Sequence, residues 1–238
     1  MKHILFLIVF LPIIMWSQSN FKEGEKLFNS EKYAAAQDVF ESILKTNPYD
    51  LKTIEYLGDI AGQSKSWDKA IAYYKKLKEL KPAEANYHYK YGGALGMKAK
   101  DSNKFKALGM IDEVKASFEK AISLNPKHIE ARWALIELYI QLPGFVGGSE
   151  SKAIKYSNEL LQISTVDGYL SRGHIDEYFK RYVAAEKQYK KAVLLTGSKT
   201  SYDKLASLYK NKMRDPEKAK SILELYNDKK NHGRLNFS

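Results

Sequence analysis

Chemistry needs particular side chains at particular spacings, and this sequence offers three candidates: its five histidines, one glycine-rich loop and a few adjacent acid pairs. The histidines are His3, His88, His128, His174 and His232. No two stand at a spacing that would bring their imidazoles onto one metal ion. His128-Ile129-Glu130 matches a fragment of a zinc deaminase site, but that site also needs cysteine ligands, and the chain has no cysteine. The loop Pro143-Gly144-Phe145-Val146-Gly147-Gly148 runs on into Ser149-Glu150. A phosphate-cradling loop follows a strand and ends in Gly-Lys-Ser/Thr. This one follows a helical pattern and ends in Gly-Ser-Glu, so it reads as an extended turn with Ser149 as the next helix cap. Gly147-Gly148-Ser149-Glu150-Ser151 misses the Gly-x-Ser-x-Gly spacing of a nucleophile elbow. Asp112-Glu113 and Asp176-Glu177 are neighbours on helices and point in different directions. The chain therefore reads as non-catalytic, with no catalytic residue, no metal ligand and no cofactor.

The ends and the charge place limits on location and partners. Lys2 and His3 precede an apolar run from Ile4 to Trp16, broken only by Pro12, and Ser17-Gln18-Ser19 supplies a small-x-small pattern. Residues 1–19 read as a secretory signal peptide cleaved near Ser17–Ser19, because the run is shorter than the roughly 20 apolar residues of a membrane span. The mature chain is expected to be exported, periplasmic or secreted, and to lack a transmembrane span. Without cysteine it has no disulfides, so packing alone must stabilise it. Net charge is +11, and Lys2 is the only charged side chain in the leader, so the mature value is +10. The basic residues alternate with acids, as in Asp215-Pro216-Glu217-Lys218-Ala219-Lys220. That pattern suits solvated helix faces and not nucleic acid, while a weak association with anionic glycan or membrane surfaces stays open.

The elements come from an internal period. Gly24, Gly58 and Gly92 are 34 residues apart, as are Tyr33 and Trp67, Ala36 and Ala70, Phe40 and Tyr74, and Pro48 and Pro82. The types are physically consistent. A glycine in a first helix lets a second helix approach closely, despite a cost of about 1 kcal/mol inside a helix. A large aromatic fills the space between helices, and proline ends the second helix. Ala36, Val39, Phe40, Ile43 and Leu44 lie on one side of a helix. No strand-like alternation occurs. The 17 tyrosines require packing partners or an interface.

These residues resemble the tetratricopeptide repeat family, most closely in Leu57-Gly58, Trp67, Ala70, Tyr74 and Pro82 and clearly from Gly24 to Pro48. The resemblance implies an all-α solenoid of about six antiparallel helix pairs forming a right-handed superhelix. Units fall at about 20–48, 50–82, 85–126, 128–165, 167–197 and 199–227, followed by a polar tail at 228–238. The third unit opens with Tyr91-Gly92 and closes with Phe118, Ala121 and Pro126; Tyr74 to Phe118 is 44 residues, ten more than the period, with the excess between about Lys98 and Asp112. The fourth opens with Leu135 and Tyr139, is interrupted at Pro143-Gly144 and resumes at Ala153. The fifth keeps Gly173, Tyr182, Ala185, Tyr189 and Ala192; the sixth is degenerate, with Leu205, Tyr209 and Ala219. Asp50, Ser66, Ser149 and Asp215 stand as helix caps. Gly92 to Lys98, Ala121 to Pro126 and the Pro143 to Gly148 loop also look like a subgroup of exported bacterial repeat proteins with a longer central unit, a likeness that implies no activity.

In such a family the first helix of each pair lines the concave surface. The register then puts Tyr56, Asp59 and Gln63 there from the second unit, and Tyr89, Gly93 and Met97 from the third. Trp133, Glu137 and Gln141 follow from the fourth, and His174 and Tyr178 from the fifth. Aromatics and methionine among a few polar groups suit recognition of a peptide or protein segment. Some of these side chains could equally pack against the elongated third unit. The expected function is a non-catalytic protein-interaction scaffold of the envelope or extracellular space, with a binding module for anionic surfaces as the alternative.

Overall fold

The structure, a computed structural model, describes residues 20–235, with side chains through 229. The expected leader lies outside the described residues. Those residues are helical with short turns and contain no strand. They divide into two compact units between Asn125 and Pro126. The first holds α1 (20–29) and then α2 (Tyr33–Thr46), α3 (Leu51–Gln63), α4 (Trp67–Leu80), α5 (Ala85–Asp101) and α6 (Lys104–Leu124). The second holds α7 (Ile129–Gln141), α8 (Glu150–Ile163), α9 (Thr165–Tyr178), α10 (Tyr182–Thr196), α11 (Lys199–Ser207) and α12 (Pro216–Leu235), with α11 running on through a π turn at Leu208–Lys212. Consecutive helices pack on one another in both units. Short connections make such neighbours antiparallel, which gives three helix pairs per unit. The segment expected as a polar tail is helical as far as Leu235.

Four of the six pairs close on the small-against-large match that the period anticipates. A β-carbon added to Gly58 would stand 2.6 Å from the Tyr74 ring. Gly24 meets Phe40, Gly92 meets Phe118, and Gly173 meets Tyr189 in the same way. The ring lies over bare backbone, and burying such a ring is worth about 1.5–3 kcal/mol. The fourth pair inverts the match by register. Ile136 stands at the glycine place and Ser157 at the aromatic place, and both are buried. Ser157 is then free to accept from Ser171 Oγ at 2.9 Å, where α8 and α9 approach closely around Gly168 and Leu161.

The ten extra residues of the third unit form no loop. α5 has 17 residues against 13 in α3, α6 has 21 against 14 in α4, and the turn between them is shorter. The inserted glycine loop of the fourth unit is a folded-back turn. Gly147 has φ 93°, a β-carbon on Gly148 would collide with the Leu142 carbonyl, and Ser149 N–H donates to Tyr139 O at 2.9 Å.

The caps at Asp50, Ser149 and Asp215 form, with Asp50 accepting from Thr53 N–H at 2.8 Å. Ser66 makes no side-chain cap, which corrects its reading as one. The turn is held instead by Lys65 in the left-handed region, φ 54°, and by Ser66 N–H donating to Ala61 O at 2.8 Å. That closure ties up the helix end through backbone alone. Glu31, Lys180 and Arg214 adopt the same conformation at the equivalent turns.

Five of the tyrosines find acids, whereas the buried Tyr202 hydroxyl has no hydrogen-bond partner among the described residues. Tyr56 donates to Glu25 (3.0 Å), Tyr74 to Asp59 (2.6 Å), Tyr91 to Glu113 (2.5 Å), Tyr189 to Glu177 (2.8 Å) and Tyr209 to Glu186 (2.8 Å). Each ring fills a space between helices while its hydroxyl reaches a carboxylate at the edge.

Candidate interaction face

In the first unit the first helices of successive pairs are tied through charge. Lys90 of α5 reaches Asp59 of α3 at 2.7 Å and 2.8 Å, and Glu55 at 2.7 Å. Asp59 also accepts from the buried Tyr74 hydroxyl. Burial, then the Asp59 charge, pushes the Tyr74 phenol well above its ordinary value. Tyr56 is a packing residue: its ring stacks on Phe40 with centroids 4.7 Å apart and meets Phe28 edge-on. Tyr89 is half-buried and tilted against Phe118 at 5.9 Å. Gln63 is exposed, Gly93 has open space above it, and Met97 is 40% exposed. Of the six expected residues here, Gln63, Gly93 and Met97 are most open to a partner.

In the second unit α7 packs beside α9. Glu137 accepts from His174 Nε2 at 2.6 Å and from the Gln141 amide. The hydrogen bond from His174 holds the Glu137 carboxyl below its ordinary value, against the opposing effect of its own burial. Trp133 donates from Nε1 to Asp167 Oδ1 at 2.9 Å, and its ring is tilted 6.2 Å from His174. Gln141 and Tyr178 are exposed, Tyr178 edge-on to Phe179 at 5.2 Å. Trp133, Glu137, Gln141 and His174 thus form one linked polar-aromatic row, and Tyr178 lies one turn further along α9.

Glu55, Lys90 and Asp167 belong to these rows and escaped the sequence reading. Asp167 had a visible signal, since it stands one period of 34 residues after Trp133. Trp67 and Asp101 repeat the relation, with Nε1 donating at 2.6 Å. No group of three histidine or acidic side chains suited to a metal occurs among the described residues. No described helix is long and apolar enough to cross a membrane.

Comparison with known proteins agrees with the helix-pair fold. A tetratricopeptide repeat family model matches residues 105–128. A thermophilic tetratricopeptide protein of Thermus thermophilus superimposes with a TM-score of 0.64 at 18% identity, covering 81% of this chain and 98% of its own. The fold is that of a tetratricopeptide-repeat protein. A tetratricopeptide repeat protein from Parabacteroides merdae is similar over 87% of this chain and 77% of its own, with a TM-score of 0.61 at 15% identity. PilW, a widely conserved type IV pilus biogenesis factor, is similar over 93% and 94%, with a TM-score of 0.62 at 15% identity. No curated protein matches the sequence. The tetratricopeptide fold points to a protein-interaction scaffold, and at these identities the likeness reaches no further than the fold.

Proposed function

We propose that this chain is an exported, non-catalytic scaffold that captures a peptide or protein segment on the concave face formed by the first helices of its pairs. The observation that carries the reading is a row of first-helix side chains in each unit. Ion pairs and hydrogen bonds hold the rows at Lys90 in the first unit and at His174 in the second, while Met97 in the first and Gln141 and Tyr178 in the second are left open to a partner. Rigid half-buried aromatics beside exposed adaptable side chains are the composition of a recognition surface. The leader at residues 1–19 supports export, and cleavage near Ser17–Ser19 would release the scaffold.

A photo-crosslinking side chain at Met97 or Tyr178 tests the face directly in the native envelope. Discrete crosslinked species should form from these two positions and not from Lys155, an exposed residue of the second helix α8. Tyr89→Ala and Trp133→Ala should remove the captured species with helicity unchanged. Equal crosslinking from Lys155, or capture that survives both substitutions, would sink the assignment of this face.

A further inference from the structure

The first helix of the third pair starts three residues after Pro82, as α3 does after Pro48, and α6 ends just before Pro126 as α4 ends before Pro82. All the added length therefore lies at the turn end of the hairpin. Four residues on α5 and seven on α6 carry the tip about 6–10 Å beyond the preceding pair at 1.5 Å per residue. None of residues 100–110 is buried. The tip nevertheless carries Phe105, 89% exposed, and Leu108 one helical turn later.

The charges around that ring are predominantly basic. Lys98 is paired with Asp68, and Asp101, which accepts from the neutral Trp67 indole and so keeps its charge, is the one acid of the tip. Lys100, Lys104 and Lys106 are exposed and form no ion pair with a described residue. The next acid along α6 is Asp112, two turns away. An aromatic ring in water beside three unneutralised ammonium groups is poorly placed as a solvated surface. It is well placed where a ring can enter an apolar layer while the lysines meet anionic headgroups.

We propose that the α5–α6 hairpin tip docks on an anionic phospholipid surface, with Phe105 and Leu108 entering the headgroup–acyl boundary and Lys100, Lys104 and Lys106 contacting lipid phosphates. Convexity favours a flat bilayer over a peptide as the occupant, since a protruding tip encloses nothing. Three lysines and one ring give a reversible association, on the order of the 10⁴ M⁻¹ of a single acyl chain. The tip begins within one turn of Met97, but Phe105 and Leu108 belong to α6, the second helix of the pair, and the proposed face to first helices, so either reading can fail alone.

The test uses the full chain carrying Phe105→Trp, read as a difference spectrum against the wild type. The vesicles are phosphatidylcholine alone or phosphatidylcholine with phosphatidylglycerol. A blue shift of the new emission is expected with the anionic vesicles only, and it should reverse at about 1 M salt, where the screening length falls to about 3 Å. Lys104→Gln and Lys106→Gln should each weaken the response about fivefold. The apolar run Ile4–Trp16, if retained, inserts irrespective of headgroup charge, so charge dependence at position 105 isolates the tip. In flotation, Phe105→Ala should weaken retention on anionic vesicles about tenfold, with its melting curve unchanged because the ring is exposed. No shift, an equal shift on neutral vesicles, or a response indifferent to both lysines overturns the proposal. Crosslinking from Met97 should be unaffected by Phe105→Ala.

Discussion

At the residue scale, the repeat depends on what faces each glycine. Gly58 lies under the Tyr74 ring, whereas Gly62, on the same helix, has no atom near the place of an added β-carbon. Gly58→Ala should therefore cost about 1–3 kcal/mol through overpacking, in spite of the better helix propensity of alanine. Gly62→Ala should stabilise by about 0.5–1 kcal/mol. Urea unfolding of the two variants separates the effects, and a loss at both positions would contradict the packing account. Gly58 could be marked in the sequence because it repeats; the freedom at Gly62 could not, because it depends on which surface the α3 helix turns to solvent.

The tyrosines carry a pH consequence. Burial and the Asp59 carboxylate raise the Tyr74 phenol above its ordinary 10.0, so the folded state disfavours the phenolate. The stability held by this group is intact below the unfolded value near 10 and is lost as pH rises past it. Tyr74→Phe should lose about 1 kcal/mol at neutral pH, from the hydroxyl bond to Asp59. It should also show a shallower decline of stability above pH 10 than the wild type. Tyr91 and Tyr189 are raised as well, first by burial and then through their Glu113 and Glu177 partners, so some decline should remain. Parallel curves for the two proteins would remove Tyr74 as a cause.

At the scale of elements, the insertion of the third unit is the informative case. The break in the 34-residue period located ten extra residues between about Lys98 and Asp112, and the structure builds them into helix. Lys98, Ala99 and Lys100 continue α5, and Asn103 accepts from Lys106 N–H to start α6. Hydrogen exchange should divide this hairpin sharply. Amides of residues 104–110, on turns with no buried side chain, should exchange much faster than those of 111–121, where Ile111, Val114, Phe118 and Ala121 are buried. Uniform protection along α6 would mean that the tip is covered in solution. The turns between paired helices show a related limit of sequence reading. Ser66 has the chemistry of a cap, but left-handed Lys65 closes the helix first. Glu31, Lys65, Lys180 and Arg214 give no warning of a conformation that glycine would adopt more cheaply.

At the scale of the whole molecule, the proposed export would decide which partners are within reach. Mass spectrometry of the protein recovered from its own host should find an N-terminus close to residue 20, and an intact Met1–Ser19 segment would refute cleavage. The candidate face was only partly legible. Asp59, Trp133 and His174 emerged from the register of first helices, and the structure places each beside a neighbouring first helix of its own unit. Tyr56 has the same register and the right chemistry, yet it is committed to Phe28 and Phe40. What the sequence determined by itself was the all-helical class, the pairing of helices, the glycine–aromatic match and the place of both irregular units. These follow from local periodicity and from contacts within one repeat or with the next, so a 34-residue pattern contains them. What only the tertiary structure decided was which members of a helix face are spent on packing and which stay open. Lys90 between Glu55 and Asp59, the capture of Tyr56, and the bare tip at Phe105 depend on side chains from different helices meeting in space. No helix periodicity encodes that meeting.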